Sequence, residues 1–366
     1  MLFQNLPRNV MLRERKCNDA GANPSLTNIF FCLAGTHLAD LHPDAQIHKQ
    51  GGSTARGARD LDYIYLVAGL IGLFFGGEAL VRGSVGIARR MAIPPLLIGL
   101  TVVGFGTSTP ELLVSVESAL RGVPDIAIGN IVGSNIGNIL LIVGLSALVW
   151  PIKVLGATLR RDTAVMVGAA LLLVPIFAMG QIGRVSGFFL VAALAGYLIW
   201  AYRQPGEAVV EEEGVPAPAS TIVSVIWVIG GLVALMLGAR FLVEGAVNIA
   251  RGYGISEAFI GLTIVAIGTS LPELATSLVA AVRRQSEIAI GNIVGSNIFN
   301  VLGILGVTAV VSPIPVAPRF LSFDLPVMIA VSLVLTALLL TRPVIGRGVG
   351  VAMLAGYVAY VFAAQG

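Results

Sequence analysis

Two apolar stretches of the sequence carry the same short polar motif near their middle. Residues 99–119 read GLTVVGFGTSTPELLVSVESA, and residues 261–281 read GLTIVAIGTSLPELATSLVAA, which places Glu273 162 positions after Glu111. A carboxylate inside a membrane helix costs roughly 2.5–3.5 kcal/mol on insertion scales, so such a residue indicates a functional site. Two of them in matching contexts predict one duplicated site.

The residue types around each glutamate favour the binding of hard cations. Thr107, Ser108 and Glu111 lie three or four positions apart and therefore share one helix face. Pro110 has no N–H, so the carbonyl of Gly106 loses its partner within the helix. Hydroxyl, carboxylate and carbonyl oxygens suit Na⁺, Ca²⁺ or Mg²⁺ better than zinc or copper. The second stretch offers the same donors: Thr269, Ser270, Pro272 and Glu273.

A second motif follows each glutamate at a fixed distance. Residues 129–138 read GNIVGSNIGN, and residues 291–300 read GNIVGSNIFN, again 162 positions apart. Ser134 and Asn138 have i,i+4 spacing, as do Ser296 and Asn300, and an amide oxygen is a neutral ligand for a hard cation. The remaining asparagines are interpreted as hydrogen-bond partners between helices rather than as ligands: Asn130, Asn135, Asn292 and Asn297.

The predicted pocket contains two carboxylates and carries a charge of −2 when both are ionised. One Ca²⁺ or two Na⁺ would neutralise this charge, so the two ions would compete for one pocket. With neither ion bound, two buried negative charges would resist a crossing between the two sides of the membrane. That resistance would couple the two ion fluxes.

Composition assigns the elements that position these residues to the membrane. Hydrophobic residues make up 56% of the 366 residues and charged residues 12%, against about 25% charged in soluble domains. The cysteines and histidines all lie within residues 1–60, so the rest of the chain has no thiolate or imidazole ligand. Ten apolar runs are each about long enough to span a bilayer: 62–86, 94–119, 126–149, 163–180, 184–202, 221–249, 256–281, 287–311, 323–341 and 345–363.

The runs divide into two halves, residues 61–203 and 221–366, joined by an acidic cytoplasmic linker at 204–220. Because five helices is an odd number, the second half would enter the membrane from the opposite side. The sequence thus predicts an all-α membrane protein with ten transmembrane helices in two inverted five-helix repeats. Residues 1–60 are polar and are expected to be a disordered extension or a start-site artefact.

Basic residues predict the orientation, because Lys and Arg concentrate in cytoplasmic loops. One side collects residues such as Arg89, Arg160, Arg283 and Arg342, which places both termini outside the cytoplasm. The expected location is the plasma (inner) membrane, in multi-pass form. The basic residues follow the ends of apolar runs, so the net charge of +3 does not predict nucleic-acid binding.

The motifs GTSTPE and GTSLPE, each followed by GNIVGSN, resemble the two repeats of the cation/calcium exchanger superfamily, specifically its prokaryotic sodium/calcium exchangers. The resemblance implies exchange of Na⁺ for Ca²⁺ by alternating access, with the ions bound between the repeats. It implies that the first and sixth helices are gating helices across an eight-helix core. It also implies a ligand set: Glu111, Glu273, Thr107, Ser108, Thr269, Ser270, Ser134, Ser296, Asn138, Asn300 and the backbone oxygens of Gly104 and Ala266.

One position departs from part of the family. Some relatives carry Asp where this chain has Asn300, and there the Asp is linked to protonation or potassium dependence. The alternative function keeps the fold but exchanges H⁺ or K⁺ for Ca²⁺ or another divalent cation. A channel or an intramembrane enzyme is a third and less favoured class. We expect no enzyme activity, no cofactor beyond the transported Na⁺ and Ca²⁺, and the lipid bilayer as partner; a monomer is expected, although the sequence leaves oligomeric state open.

Overall fold

The computed structural model describes residues 54–91, 93, 95–153, 157–203, 220–254 and 266–364. Most of the predicted extension, residues 1–53, and nearly all of the predicted linker, residues 204–219, lie outside these ranges. The first helix begins at Thr54, inside the segment that the sequence assigns to the extension.

The described chain is almost entirely helical. The α-helices are Thr54–Met91, Pro95–Ile98, Gly104–Thr107, Thr109–Leu120, Pro124–Gly137, Val143–Val149, Ala157–Ala178, Arg184–Arg203, Thr221–Gly252, Ala266–Gly268, Leu271–Val282, Ser286–Ile298, Leu305–Val311, Leu325–Thr341 and Arg347–Ala364. Four π-helical segments join some of them: Gly99–Val103, Asn138–Ile142, Phe299–Ile304 and Phe320–Asp324. In lipid, a helix satisfies every backbone N–H and C=O internally, which is why apolar runs fold this way.

Eight helical spans, three of which include a π-helical segment, are long and apolar enough to cross a membrane, among the residues that the structure describes. The bent pair Leu96–Thr107 and Thr109–Leu120 makes a ninth if it counts as one span. Of the predicted run 256–281, the structure describes the end, which includes the apolar helix Leu271–Val282. The all-helical membrane fold is therefore confirmed, while the count of ten spans stays a prediction.

Two spans form the centre of the protein. They are Pro124–Val149, here named the Asn138 helix, and Ser286–Val311, the Asn300 helix, with 78% and 83% of their most apolar windows buried. The span Arg347–Ala364 is only 11% buried by the same measure. Large apolar side chains such as Phe188 and Phe362 are exposed on outer helices. Exposed apolar surface of this kind fits contact with lipid.

Two long helices contact each other through glycine. The first long helix, Thr54–Met91, and the second, Thr221–Gly252, carry glycines spaced by seven residues. They are Gly69, Gly76 and Gly83, and Gly231, Gly238 and Gly245. A Cβ on Gly76 would lie 2.7 Å from the Leu235 nitrogen, and one on Gly238 would lie 2.7 Å from the Leu73 nitrogen. Small residues allow such backbone contact in membrane helices.

The order of these contacts gives the relative direction of the two long helices. Gly69 contacts Leu242, Gly76 contacts Leu235, and Gly83 contacts Val228. Residue numbers thus increase along the first long helix while those of their partners decrease along the second. The helices are therefore antiparallel. Two short strand pairs also join the halves in antiparallel register: Ile152–Lys153 with Val344–Ile345, and Gln181–Ile182 with Ile314–Pro315.

Candidate ion-binding site

Each predicted glutamate lies in the first turn of a helix that begins at a break. The Glu111 helix, Thr109–Leu120, follows Ser108, whose ψ of 7° ends the preceding helix, and the axis bends by 44°. The Glu273 helix, Leu271–Val282, follows Ser270, which has a ψ of 8°. Proline occupies the first turn of each helix, where its missing N–H costs nothing. The positive end of a helix dipole favours a carboxylate at this place.

The two motifs meet across the halves. The Ser108 hydroxyl donates to Glu273 Oε1 at 2.9 Å, and the Ser270 hydroxyl donates to Glu111 Oε1 at 3.1 Å. Both glutamates are 1% exposed. Each serine directly precedes the helix that carries the other glutamate, so the two carboxylates lie in one region. The fold thus brings together the two acids that the sequence predicts to share one site.

Four buried oxygens in this region accept no hydrogen bond from the protein. They are the second carboxylate oxygens, Glu111 Oε2 and Glu273 Oε2, and the amide oxygens, Asn138 Oδ1 and Asn300 Oδ1. A buried acceptor without a partner costs about 1–3 kcal/mol, and more when it is charged. A hard cation coordinated by these oxygens would compensate for that cost.

Asn138 and Asn300 reach this region from π-helical turns. The turn Asn138–Ile142 packs against the Glu273 helix, and the turn Phe299–Ile304 packs against the Glu111 helix. Each turn therefore packs against the helix that carries the glutamate of the other half. Single π-helical turns inside α-helices occur frequently at functional sites.

The predicted hydroxyl ligands of the first half are buried and engaged. Thr107 Oγ1 donates to the carbonyl of Val103 at 3.1 Å and lies 3.2 Å from Asn292 Oδ1. The Ser134 hydroxyl lies 3.3 Å from the hydroxyl of Ser270. Ser134 thus connects the Asn138 helix to the break that precedes Glu273.

The remaining predicted donors occupy the equivalent positions. Thr269 Oγ1 lies 3.5 Å from Asn130 Oδ1, and the Ser296 hydroxyl lies 3.4 Å from the Gly104 carbonyl oxygen. Ala266 begins the short helix Ala266–Gly268, but residues 255–265, which lead into it, fall outside the described ranges. The role of its carbonyl oxygen stays a prediction.

Asn130 and Asn292 fix the helices that carry the glutamates. Asn130 Nδ2 donates to the Glu111 carbonyl at 3.1 Å and to Ser115 Oγ at 3.0 Å. Asn292 Nδ2 donates to the Glu273 carbonyl at 3.2 Å and to Ser277 Oγ at 2.9 Å. These bonds agree with the interpretation of both residues as interhelical partners. Ser115 and Ser277 are buried and were not among the predicted site residues, although their spacing of 162 positions could have revealed them.

Two buried aspartates were also missed. Asp162 pairs with Arg161 at 2.7 Å, and Asp324 pairs with Arg319 at 3.2 Å. Asp324 accepts a further hydrogen bond from the Tyr360 hydroxyl at 3.2 Å. The two aspartates are 162 positions apart, which is the signal that could have found them. Each is neutralised by an arginine and lies outside the set of oxygens described above.

A site built on acidic and imidazole ligands alone does not exist in the described part of the chain. Across those residues, no group of three or more His, Cys, Asp or Glu side chains could hold a metal ion. Any cation between Glu111 and Glu273 must complete its coordination with neutral oxygens. Amides, hydroxyls and carbonyls are the neutral donors that hard cations accept.

Comparison with known proteins gives consistent matches over most of the chain. Residues 61–203 and 223–365 match the family described as sodium/calcium exchanger protein. The inner membrane protein YrbG of Escherichia coli K12 is 37% identical over 81% of this chain and 94% of its own length. The sodium/calcium exchanger MaX1 of Methanosarcina acetivorans is 31% identical over 82% of this chain and 97% of its own.

A solved structure has the same fold. It is the sodium-calcium exchanger NCX_Mj soaked with Na⁺ and Sr²⁺, and it superimposes with a TM-score of 0.73. The match covers 82% of this chain and 97% of that chain at 34% sequence identity.

Proposed function

Because the chain belongs to the sodium/calcium exchanger family, we propose that it exchanges Na⁺ for Ca²⁺ across the membrane at the site between Glu111 and Glu273. Members of this family are transporters of cations and not enzymes. The chain is therefore a multi-pass membrane protein that exchanges other cations for Ca²⁺. The choice of Na⁺ as the exchanged ion, and the residues that bind it, are our proposal.

One observation carries the proposal. Two nearly inaccessible carboxylates each use one oxygen for a serine from the other half, and each leaves its second oxygen without a protein partner. A buried acid with a purely structural role would be neutralised by an arginine, as Asp162 and Asp324 each are. Acids that lack such a partner are expected where the counter-charge is the transported ion.

Charge explains the exchange. With both carboxylates ionised, one Ca²⁺ or two Na⁺ give a neutral site, and binding of one ion type displaces the other. Asn138 and Asn300 supply neutral oxygens for either ion, and the predicted hydroxyl and carbonyl donors complete the coordination: Thr107, Ser108, Ser134, Gly104, Thr269, Ser270, Ser296 and Ala266. The site without ions retains two buried negative charges, which opposes its passage between the two access states.

Alternating access would follow from two inverted five-helix repeats. The family match in two segments, the antiparallel packing of the two long helices, and the repetition of contacts after 162 positions support this arrangement. In such folds one bundle moves against the other around a site near the middle of the membrane. The protein lies in the plasma (inner) membrane. With the basic loops in the cytoplasm, both termini lie outside the cytoplasm.

The test is calcium uptake into proteoliposomes that contain the purified protein. An outward Na⁺ gradient is expected to drive uptake of radioactive Ca²⁺, and collapse of that gradient with a sodium ionophore should stop it. The matched control variant is Glu117→Gln. It changes a carboxylate of the Glu111 helix that pairs with Arg121 and is not a residue of the proposed site. Uptake that follows a pH or K⁺ gradient and ignores Na⁺ would replace the proposal with the alternative exchange.

A further inference from the structure

Four asparagines form a closed hydrogen-bond network between the two central helices. Asn138 Nδ2 donates to Asn297 Oδ1, and Asn300 Nδ2 donates to Asn135 Oδ1, both at 3.0 Å. Asn135 Nδ2 donates to the Asn297 carbonyl and Asn297 Nδ2 to the Asn135 carbonyl, both at 3.4 Å. Every bond of this network crosses from one half of the protein to the other.

The network permits one orientation of its amides. A backbone carbonyl can only accept, so the nitrogen of the Asn297 amide must face the Asn135 carbonyl, and its oxygen must face the other way. That oxygen then requires the nitrogen of Asn138, which directs Asn138 Oδ1 away from the network. The sulfur of Met166, a weak acceptor 3.6 Å from Asn297 Nδ2, favours the same orientation.

We propose that Asn135 and Asn297 are positioning residues that orient Asn300 and Asn138, respectively, so that their amide oxygens serve as ion ligands. This proposal rests on the proposed function. Its consequence is a cross-connection: Asn297 lies on the Asn300 helix but orients the ligand of the Asn138 helix. Without this partner, the Asn138 amide could turn its nitrogen toward the ion and repel it.

The test measures Ca²⁺ binding by isothermal titration of purified variants. Asn297→Leu removes the acceptor for Asn138, and we expect Ca²⁺ affinity to fall by about 10- to 100-fold, as for other partners of metal ligands. Asn297→Asp keeps an oxygen for the Asn138 amide at nearly the same size, so it should bind Ca²⁺ far better than the leucine variant. The control Ile293→Leu changes a buried apolar side chain of the same helix that makes no bond in the network, and it should leave affinity unchanged.

A double-variant comparison separates positioning from a structural role. Because Asn297 acts through Asn138, Asn297→Leu should cause no further loss of affinity when it is added to Asn138→Leu. Unchanged affinity in Asn297→Leu, or additive losses in the double variant, would overturn the proposal. If Asn297→Leu does not fold, poor Ca²⁺ binding by a folded Asn297→Asp would overturn the proposal. Failure of the wild-type protein to bind Ca²⁺ would instead remove the proposed function itself.

A separate observation concerns an ion-pair cluster between the first long helix and the end of the Glu273 helix. The Glu78 carboxylate on the first long helix contacts Arg82 at 2.5 Å and Arg283 at 2.6 Å. Arg283 follows the Glu273 helix directly, so the cluster joins these two elements. Beside it, Val81, Ile288 and neighbouring residues form a small buried apolar cluster.

The equivalent positions on the other side differ in charge and burial. Adding 162 to Glu78 and Arg82 gives Arg240 and Glu244, which lie 4.0 Å apart with the charges exchanged, and subtracting 162 from Arg283 gives Arg121, which pairs with Glu117. Ile288 is completely buried, whereas its equivalent, Ile126, is 49% exposed.

The geometry points to the cluster of Glu78, Arg82 and Arg283 as a contact that holds the first long helix on the Glu273 helix in one access state. Under the proposed function, loss of the contact shifts the population toward the state open at this end.

Thiol labelling in lipid nanodiscs tests this second proposal without any ion flux, so its result is independent of the exchange reaction. In a background with Cys17 and Cys32 replaced by serine, Ile288→Cys reports opening to a water-soluble maleimide. Arg283→Gln is expected to raise its labelling rate about fivefold, the shift that corresponds to an interaction of about 1 kcal/mol. Arg121→Gln, at the equivalent position, should not raise it.

Two further measurements keep the result interpretable. Ile136→Cys, buried in the central core, should stay unlabelled in every variant, because its labelling would indicate unfolding. If Arg283→Gln unfolds, Glu78→Gln removes the same contact and is measured in its place. An unchanged rate at Ile288→Cys, or an equal increase with Arg121→Gln, would overturn the proposal.

Discussion

Replacement of Glu111 by glutamine removes one of the two negative charges of the proposed site while its shape is kept. The amide oxygen can still accept the Ser270 hydrogen bond, which Glu111 Oε1 accepts at 3.1 Å. Because Glu111 is 1% exposed, water screens its charge poorly, and an effective dielectric constant of about 20 is appropriate. The change therefore isolates the electrostatic contribution of one carboxylate.

The expected effect depends on the charge of the ion. Two unit charges 4 Å apart interact by about 4 kcal/mol at a dielectric constant of about 20, so one bound Na⁺ would lose about 4 kcal/mol. A Ca²⁺ ion would lose about twice as much, or about 8 kcal/mol. Compared ion for ion, the difference of about 4 kcal/mol corresponds to a loss of Ca²⁺ affinity roughly a thousandfold greater than the loss for each Na⁺.

Isothermal titration of purified Glu111→Gln with each ion measures this shift, and Glu273→Gln should behave in the same way. Glu117→Gln is the matched control, because its carboxylate lies in the same helix and pairs with Arg121. Equal affinity losses for Ca²⁺ and Na⁺ in Glu111→Gln would refute the electrostatic reasoning. Wild-type affinity for Ca²⁺ in either site variant would refute the assignment of that glutamate as a ligand.

Three other changes have defined outcomes. Gly238→Ala places a Cβ against the backbone of the first long helix and should destabilise the protein by about 1–3 kcal/mol. Thermal unfolding in detergent measures this loss. In the control Gly230→Ala the new Cβ meets no atom within 4 Å, and the midpoint of thermal unfolding should stay unchanged. Ser108→Ala removes the hydroxyl that donates to Glu273 and should lower Ca²⁺ affinity by about 1.5–3 kcal/mol in the same titration; an unchanged affinity would mean that this bond does not support the site. Asn300→Asp adds a third buried acid, so Ca²⁺ uptake in proteoliposomes should become more dependent on pH than in the wild-type protein, and an identical pH profile would contradict this.

The repeat in the sequence predicted that Glu111 and Glu273 lie in one region of the protein. The spacing of 162 positions predicted one duplicated site, and the structure joins Ser108 to Glu273 and Ser270 to Glu111. Chain spacing could not predict that each serine would bond to the glutamate of the other half. That pairing depends on how the two broken helices cross, which is decided by packing.

Other features were readable but were not recognised. The glycines of the two long helices repeat every seven residues, yet an apolar run indicates only a span and not the partner that it contacts. Asp162 and Asp324 stand near the starts of their helices, where an acid resembles a residue at the membrane surface until its burial is known. The orientation of the Asn138 amide follows from Asn297, a tertiary contact that no local pattern encodes.

The most direct test of the oxygen site is an experimental structure of the protein soaked with Sr²⁺, with the ion located by anomalous scattering. We predict one density peak within about 2.3–2.6 Å of both Glu111 Oε2 and Glu273 Oε2, which weakens as Na⁺ replaces Sr²⁺ in the soak. A strong Sr²⁺ peak elsewhere in the membrane region, with these two oxygens uncoordinated, would contradict it.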